Sequence, residues 1–501
     1  MTPGGRFILA LALAALAVPA ASAQSVPDLE HAIYKAEALA PWLRAAALSR
    51  ADLVGIGDSN QIHSADGWDQ GVSKAHYTRF GQYATGLISA GENRGSGAGM
   101  GYGYTGVSTL SSGQFAYTGA PAPLDAALAA NAGMEPLNYL YVPAGQTITN
   151  ELNTGLILLA TSPLDTSANL SFRAVFGAFP EVRGTRFTLN AREASGAFQT
   201  LSVSKPFSTA ADQFSIFAAT LDLPAAPRGA LNTRVNAYGE PITGPFIWYY
   251  IRAENTERPA GTSVHTLYAF GLRTAYDMGL ALRTADDAYL TLYFSEVRAL
   301  QGSAPRVLIR VNTGVNDRNE SRPSLGTPPT LPGNSPQAFA DNLRAIIDRI
   351  TSIWTLNNWD LAELFFLITP THPIAAPDDA QLIAYRAAAD TVADTYPRVA
   401  VGHLDRLITA PQILSNFWYP LAGFDRNHLL ASGYEALSAL ELQALEHRAG
   451  CWRDPSGDQA IDPEDLYSDQ PAATIGICLV RAIRSFETAD TLSERLPDPP
   501  R

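Results

Sequence analysis

The sequence predicts an α/β protein: a five-stranded parallel sheet with helices on both faces, interrupted by an inserted all-β sandwich. Three observations predict it. Short apolar runs alternate with amphipathic helical patterns at the start of the chain and again from residue 263 onward. Those apolar runs lack polar alternation, as strands covered on both faces do. Between them, from about 110 to 262, β-rich runs recur with Gly, Pro, Asn and Asp separating them roughly every ten residues, the spacing of an antiparallel sandwich.

Each element follows from its residues. Over 28–49, Ile33, Ala36, Ala40, Leu43 and Ala47 share one helical face, and Pro41 predicts a kink or a break into two helices. "ADLVGIG" (51–57) is a strand, and Trp68 to Leu87 reads as a helix. The Gly-rich "SAGENRGSGAGMGYGYTG" that follows cannot hold regular structure cheaply and marks a boundary. Within the β-rich region, "FIWYYIRAEN" sets Trp248 and Tyr250 on one strand face and Tyr249 on the other: an aromatic platform for sugar rings, or core packing. After it come the strand "SVHTLYAFG", a helix over 274–299, and the strand "PRVLIRVNTG". A helix capped by Ser335 then carries Phe339, Leu343, Ile346, Ile347, Ile350 and Trp354 on one side. The strand "LAELFFLITP", a helix over 378–396, the strand "PRVAVGHLD" and a helix from Leu429 to His447 complete the series. No period of 20 to 50 residues repeats, which excludes solenoids and propellers. The division expected is 1–23 leader, 24–110 and 263–447 α/β domain, 111–262 inserted sandwich and 448–501 C-terminal extension.

Composition narrows the function classes. The 501 residues carry a net charge of −13 without a basic run, which argues against nucleic acid and anionic membrane surfaces as partners. One Arg, an apolar run from Phe7 to about Val18, and small residues at Ala21 and Ala23 read as a cleavable signal peptide, too short to span a bilayer. A secreted or periplasmic protein with no membrane span after cleavage is therefore expected. Export permits a disulfide between the two cysteines, Cys451 and Cys478; two free thiols are the alternative.

Ligands of parallel sheets bind where the carboxyl ends of the strands emerge. Four polar motifs fall there: "GDSN" (57–60), "FGLRT" (270–274), "GVND" (314–317) and "DRNH" (425–428). Chemically they form a set. The Ser59 hydroxyl is a weak nucleophile that needs a base; His428 can be that base, and Asp425 can hold its other ring nitrogen in one tautomer. The developing oxyanion needs donors already aimed at it, and the backbone N–H groups of Ser59 and Gly271 with the Asn316 amide can supply three.

These four blocks resemble the SGNH hydrolase superfamily, the GDSL-like esterases and lipases, with Ser59, Gly271, Asn316 and His428 as the residues that give the superfamily its name. The resemblance covers about 25–110 and 263–447. It implies a flavodoxin-like three-layer α/β/α sandwich, a Ser–His–Asp triad without a cofactor, and hydrolysis of esters, often acetyl groups on carbohydrates. The expected partner is thus an ester substrate on an acylated carbohydrate. Two departures stand out: GDSN replaces GDSL, and the insertion sets Gly271 far from Ser59, which leaves Gly95 and Gly97 as rivals for the second block.

Other residues compete for roles. His63, Asp66 and Asp69 fit no specific metal-ligand spacing and read as cleft lining or helix-start polarity. His372 follows the fourth strand and rivals His428 as base, without a nearby carboxylate in sequence; His403 reads as structural. Two further readings use the same features: an O-acyltransferase that passes the acyl group to a sugar hydroxyl, and a non-catalytic surface-binding protein whose sandwich does the binding.

Overall fold

The computed structural model describes residues 27–58, 68–84, 86–89, 246–269, 274–318, 335–373, 379–409, 429 and 431–448, together with the strands given below between 109 and 239. In chain order, β1 is Ile33–Tyr34, followed by α1 (Ala40–Leu48), β2 (Arg50–Gly57) and α2 (Trp68–Phe80). The inserted strands are β3 (Ile88–Ser89), β4 (Thr109–Leu110), β5 (Leu140–Val142), β6 (Ile148–Asn153), β7 (Ser167–Ala178), β8 (Arg183–Arg192), β9 (Phe198–Ser208), β10 (Ser215–Pro227), β11 (Asn232–Gly239) and β12 (Phe246–Asn255). The chain then returns through β13 (Gly261–Ala269), α3 (Ala275–Thr284), α4 (Asp287–Gln301) and β14 (Val307–Thr313). It continues with α5 (Pro336–Leu356), β15 (Leu364–Pro370), α6 (Ala380–Thr395), β16 (Val399–Gly402), α7 (Leu404–Leu407) and α8 (Ala431–Arg448).

The central sheet runs β1-β16-β15-β14-β2-β13. β13, β2, β14, β15 and β16 are mutually parallel, and β1 adds an antiparallel edge. Counted in chain order, the five parallel strands lie 2-1-3-4-5, the flavodoxin-like order. Successive side chains point to opposite faces, and both faces are covered. Val307, Ile309 and Val311 of β14 join an apolar cluster with α3, α4, α5 and α6; Leu308 joins the opposite cluster with α1, α2 and α8. The fold class is therefore the α/β/α sandwich that the alternation of elements predicts.

Local departures have local causes. The expected 28–49 helix breaks at Pro41, as one of the two expected outcomes had it: α1 starts at Ala40, because Pro41 has no N–H to give the ladder and suits the first turn. Lys35 is left-handed (φ 55°) just before a short 3-10 turn, and β1 takes the chain ahead of it. α2 stops at Phe80, where Gly81 is left-handed (φ +83°). The expected 274–299 helix is two, with Asp286 capping the second by accepting from the Ala288 amide at 2.8 Å. α5 buries every residue expected on its apolar face, and Ile353 besides; each such side chain contributes about 1.5–3 kcal/mol on burial.

The insertion lies between β2 and β13 and forms two antiparallel sheets. One runs β10-β7-β12-β3 with β5 also on β12; the other runs β4-β6-β11-β8-β9. The first shares a core with the α/β layers. Tyr250 of β12 is buried and meets Tyr293 of α4 edge-on at 6.1 Å, so its role is packing. A register shift between Trp248 and Tyr250 breaks the simple alternation assumed for that strand. Around this contact runs a chain of ion pairs. Arg173 Nη2 is 2.7 Å from Glu296, Arg252 lies 3.6 Å from Glu296 and 3.0 Å from Glu254, and Arg50 of β2 closes on Glu254 at 2.5 Å.

Candidate active edge

The carboxyl ends of the parallel strands are cross-tied by buried polar groups. The Asp58 amide, just past β2, donates to the Asn312 carbonyl at 3.3 Å. The Asn312 side chain donates to the Thr369 carbonyl at 3.1 Å, and the Thr371 amide donates back to Thr313 at 3.0 Å. Asp58, Asn312, Thr313, Thr369 and Thr371 are all buried. This stitching fixes the heights of three strand ends relative to one another.

After β14 the chain turns at Gly314, whose φ of +117° strongly favours glycine. The turn carries Asn316 and Asp317, both buried. Asp317 Oδ2 accepts from the Thr313 hydroxyl at 3.1 Å, and Oδ1 accepts from the Ala275 amide at 3.0 Å. Its carbonyl accepts from Tyr385 Oη at 2.9 Å, and Tyr385 stacks on Phe339 at 4.5 Å between ring centres. Burial pushes the Asp317 carboxyl up to about 7, against the two hydrogen bonds, which pull it down; the nearby Asp277 carboxylate adds to the rise. Thr274 and Asp277 cap α3 reciprocally, so the residues just after "FGLR" are held by their own helix and by Asp317 together.

The helices that follow the first and last motifs lie side by side. Gly71 of α2 presses on the backbone of Tyr434 in α8: a Cβ there would meet the Tyr434 carbonyl carbon at 2.5 Å. Lys74 pairs with Glu435 at 2.5 Å and Arg79 with Glu446 at 2.7 Å along the same seam. α8 is also anchored to the sheet from below. Glu441 accepts from Arg310 Nη2 at 3.0 Å and from the Thr369 hydroxyl at 2.9 Å. Gly402 leaves room for that carboxylate, since a Cβ would sit 2.7 Å from Glu441 Oε1. Burial lowers the Arg310 guanidinium from its ordinary value while Glu441 raises it. Burial beside Arg310 pushes the His76 imidazole down to about 3, so that it stays neutral.

Of the residues predicted for the site, Asn316 is described, in a buried turn at the carboxyl edge. Ser59, Gly271, Asp425 and His428 lie outside the described residues, as do Gly95, Gly97, His63, Asp66, Cys451 and Cys478. Asp69 falls in the first turn of α2. His372 is buried at the same edge, with its ring edge-on to Tyr434 at 6.3 Å. His403 sits 2.9 Å from Asp390 and donates its amide to Ala32, a structural role. Among the described residues no group of three or more His, Cys, Asp or Glu is arranged to hold a metal, and no helix is long and apolar enough to cross a membrane.

Sequence reasoning gave no roles to Asp317, Arg310 and Glu441. Asp317 stood beside Asn316, but a turn acid has many bland uses. Arg310 was a charge in the middle of an apolar strand, a signal of a buried partner, yet spacing cannot name a partner 131 residues away.

No protein-family model matches the chain, and no curated protein matches it. Among solved structures, it is similar to a peptidoglycan O-acetylesterase at 14% identity, covering 82% of this chain and 93% of that one, with a TM-score of 0.44. It is similar to a family 2 carbohydrate esterase with a carbohydrate-binding domain from Corynascus thermopiles (Myceliophthora fergusii) at 13% identity, 62% and 96% coverage, and a TM-score of 0.27. A family two carbohydrate esterase from Cellvibrio japonicus aligns at 10% identity, 61% and 92% coverage, and a TM-score of 0.20. Likenesses this distant carry no residue roles to this chain.

Proposed function

We propose that the chain is an exported serine esterase of the SGNH type that hydrolyses short-chain acyl esters on a carbohydrate. Ser59 Oγ attacks the acyl carbonyl carbon while His428 takes its proton and Asp425 orients the imidazole. The tetrahedral oxyanion rests on the Ser59 and Gly271 N–H groups and the Asn316 amide. His428 gives the proton to the departing sugar oxygen, which leaves as a hydroxyl. Water, deprotonated by the same imidazole, then releases the acid and frees Ser59. No cofactor takes part. Cleavage after Ala23 and a Cys451–Cys478 disulfide belong to the same reading.

The observation that supports it is the seam between α2 and α8. The helix that follows the "GDSN" motif and the helix that follows the "DRNH" motif are packed against each other, Gly71 on the backbone of Tyr434 and Arg79 on Glu446, and this packing supports a site that both motifs share. The test is Ser59→Ala assayed on p-nitrophenyl acetate. Hydrolysis is expected to vanish with the circular dichroism spectrum unchanged; turnover at the original rate removes Ser59 from the mechanism. A labelled acetyl donor offered together with a sugar acceptor separates hydrolysis from transfer.

A further inference from the structure

We propose that Asp317 is a positioning residue of this site: its carboxylate locks the turn that carries Asn316 to the amino end of α3, and so sets two sides of the oxyanion site in one register. The inference rests on the esterase reading and names a residue to which that reading assigns no role. The argument is geometric. The carboxylate spends one oxygen on the Thr313 hydroxyl, at the end of β14, and the other on the Ala275 amide, in the first turn of α3. β14 and β13 are not neighbours in the sheet, since β2 lies between them. The ends of these two strands therefore have no ladder of their own to align them, and Asp317 spans the gap. Its backbone is held in turn, with Tyr385 donating to its carbonyl at 2.9 Å and Gln381 donating to Tyr385 Oη at 2.8 Å. The group is buried and both oxygens are used inside the protein, so the contacts do not compete with water. Asn316 is the adjacent residue. Any shift of the turn away from α3 moves its amide relative to the chain that leads from Gly271 into that helix.

The test is a kinetic cycle on the full chain. Asp317→Ala removes both acceptors and is expected to lower kcat by about 10- to 100-fold, the scale of an ångström-sized misplacement, with KM little changed. Asp317→Asn keeps an acceptor for Ala275 and can reverse the bond to Thr313, so it is expected to restore kcat to within about fivefold of the parent. If Asp317 acts through Asn316, the Asn316→Ala/Asp317→Ala double variant is no slower than Asn316→Ala by more than about threefold. Losses that multiply overturn the proposal, as does an Asp317→Ala enzyme with unchanged kcat. If Asp317→Ala does not fold, Thr313→Val decides: it removes one of the two donors and is expected to lower kcat several-fold, and an unchanged kcat overturns the proposal. An Asn316→Ala enzyme with full activity strikes instead at the oxyanion role of Asn316 in the esterase reading, so the two failures are distinguishable.

Discussion

Gly71→Ala is the sharpest probe of the seam between α2 and α8. The added methyl would stand 2.5 Å from the Tyr434 carbonyl carbon, 2.6 Å from its oxygen and 2.8 Å from the Glu435 nitrogen. All three are backbone atoms of a helix and cannot rotate away, so the helices must part by about 1 Å to reach ordinary contact. Two opposing effects set the stability change. Alanine gains about 1 kcal/mol over glycine inside a helix, while overpacking costs about 1–3 kcal/mol. The net is a loss of at most about 2 kcal/mol, and it can be close to zero. Activity responds differently. If α2 and α8 set the separation of nucleophile and base, a displacement of about 1 Å costs on the order of 100-fold in kcat, or about 2.7 kcal/mol of transition-state stabilisation. The expected signature is therefore an enzyme that melts near the parent temperature but turns over p-nitrophenyl acetate about two orders of magnitude more slowly. A Gly71→Ala protein that melts higher and keeps full kcat refutes the close approach and the coupling drawn from it.

The remaining predictions concern the groups around that seam and the edge above it. Asn316→Ala is expected to lower kcat by about 10² to 10³ if its amide is an oxyanion donor, read from initial rates; a loss below about tenfold makes it a turn residue only. Glu441→Ala leaves the buried Arg310 without its carboxylate and is expected to cost about 3–5 kcal/mol in denaturant unfolding, whereas Arg310→Met with Glu441→Leu recovers most of that loss. His76 has a folded-state pKa lowered to about 3, below its ordinary 6.5, so between those values the unfolded chain binds the extra proton and stability falls as pH falls. Going from about pH 6.5 to 4.5 this group removes at most about 3 kcal/mol. His76→Phe, which keeps an aromatic ring beside Trp42 and Phe80, is expected to flatten that part of the stability profile. An identical slope in the variant assigns the acid sensitivity to other groups.

Much of the architecture is legible in the sequence. "ADLVGIG" and "LFFLITP" carry apolar residues on both faces, as a doubly covered parallel strand requires, and the five strand runs alternate with helical periods in chain order. Asn316 was also legible as a strand-end residue, because Gly-Val-Asn-Asp follows such a run directly. Pro41 was legible as a kink or a break into two helices, and the choice fell to the break: a 3-10 turn over Ala36–Leu39 ends where α1 begins, because the missing N–H suits a first turn. Tyr250 shows where periodicity stops helping: alternation set it beside Trp248, but the bulge next to it depends on its pairing with β7.

The sequence alone determined the local periods, the order of strands and helices, and the polar motifs that follow the strands, because each depends on neighbours a few residues apart. Tertiary structure decided which distant groups meet. Arg310 finds Glu441, Asp317 finds the amide of Ala275, and Gly71 finds the backbone of Tyr434 only when the sheet order and helix seams have formed. No spacing rule reaches across hundreds of residues. Buried charge and close backbone contact are satisfied by whatever the packed layers bring within a few ångströms, and that is a property of the assembled core rather than of the chain.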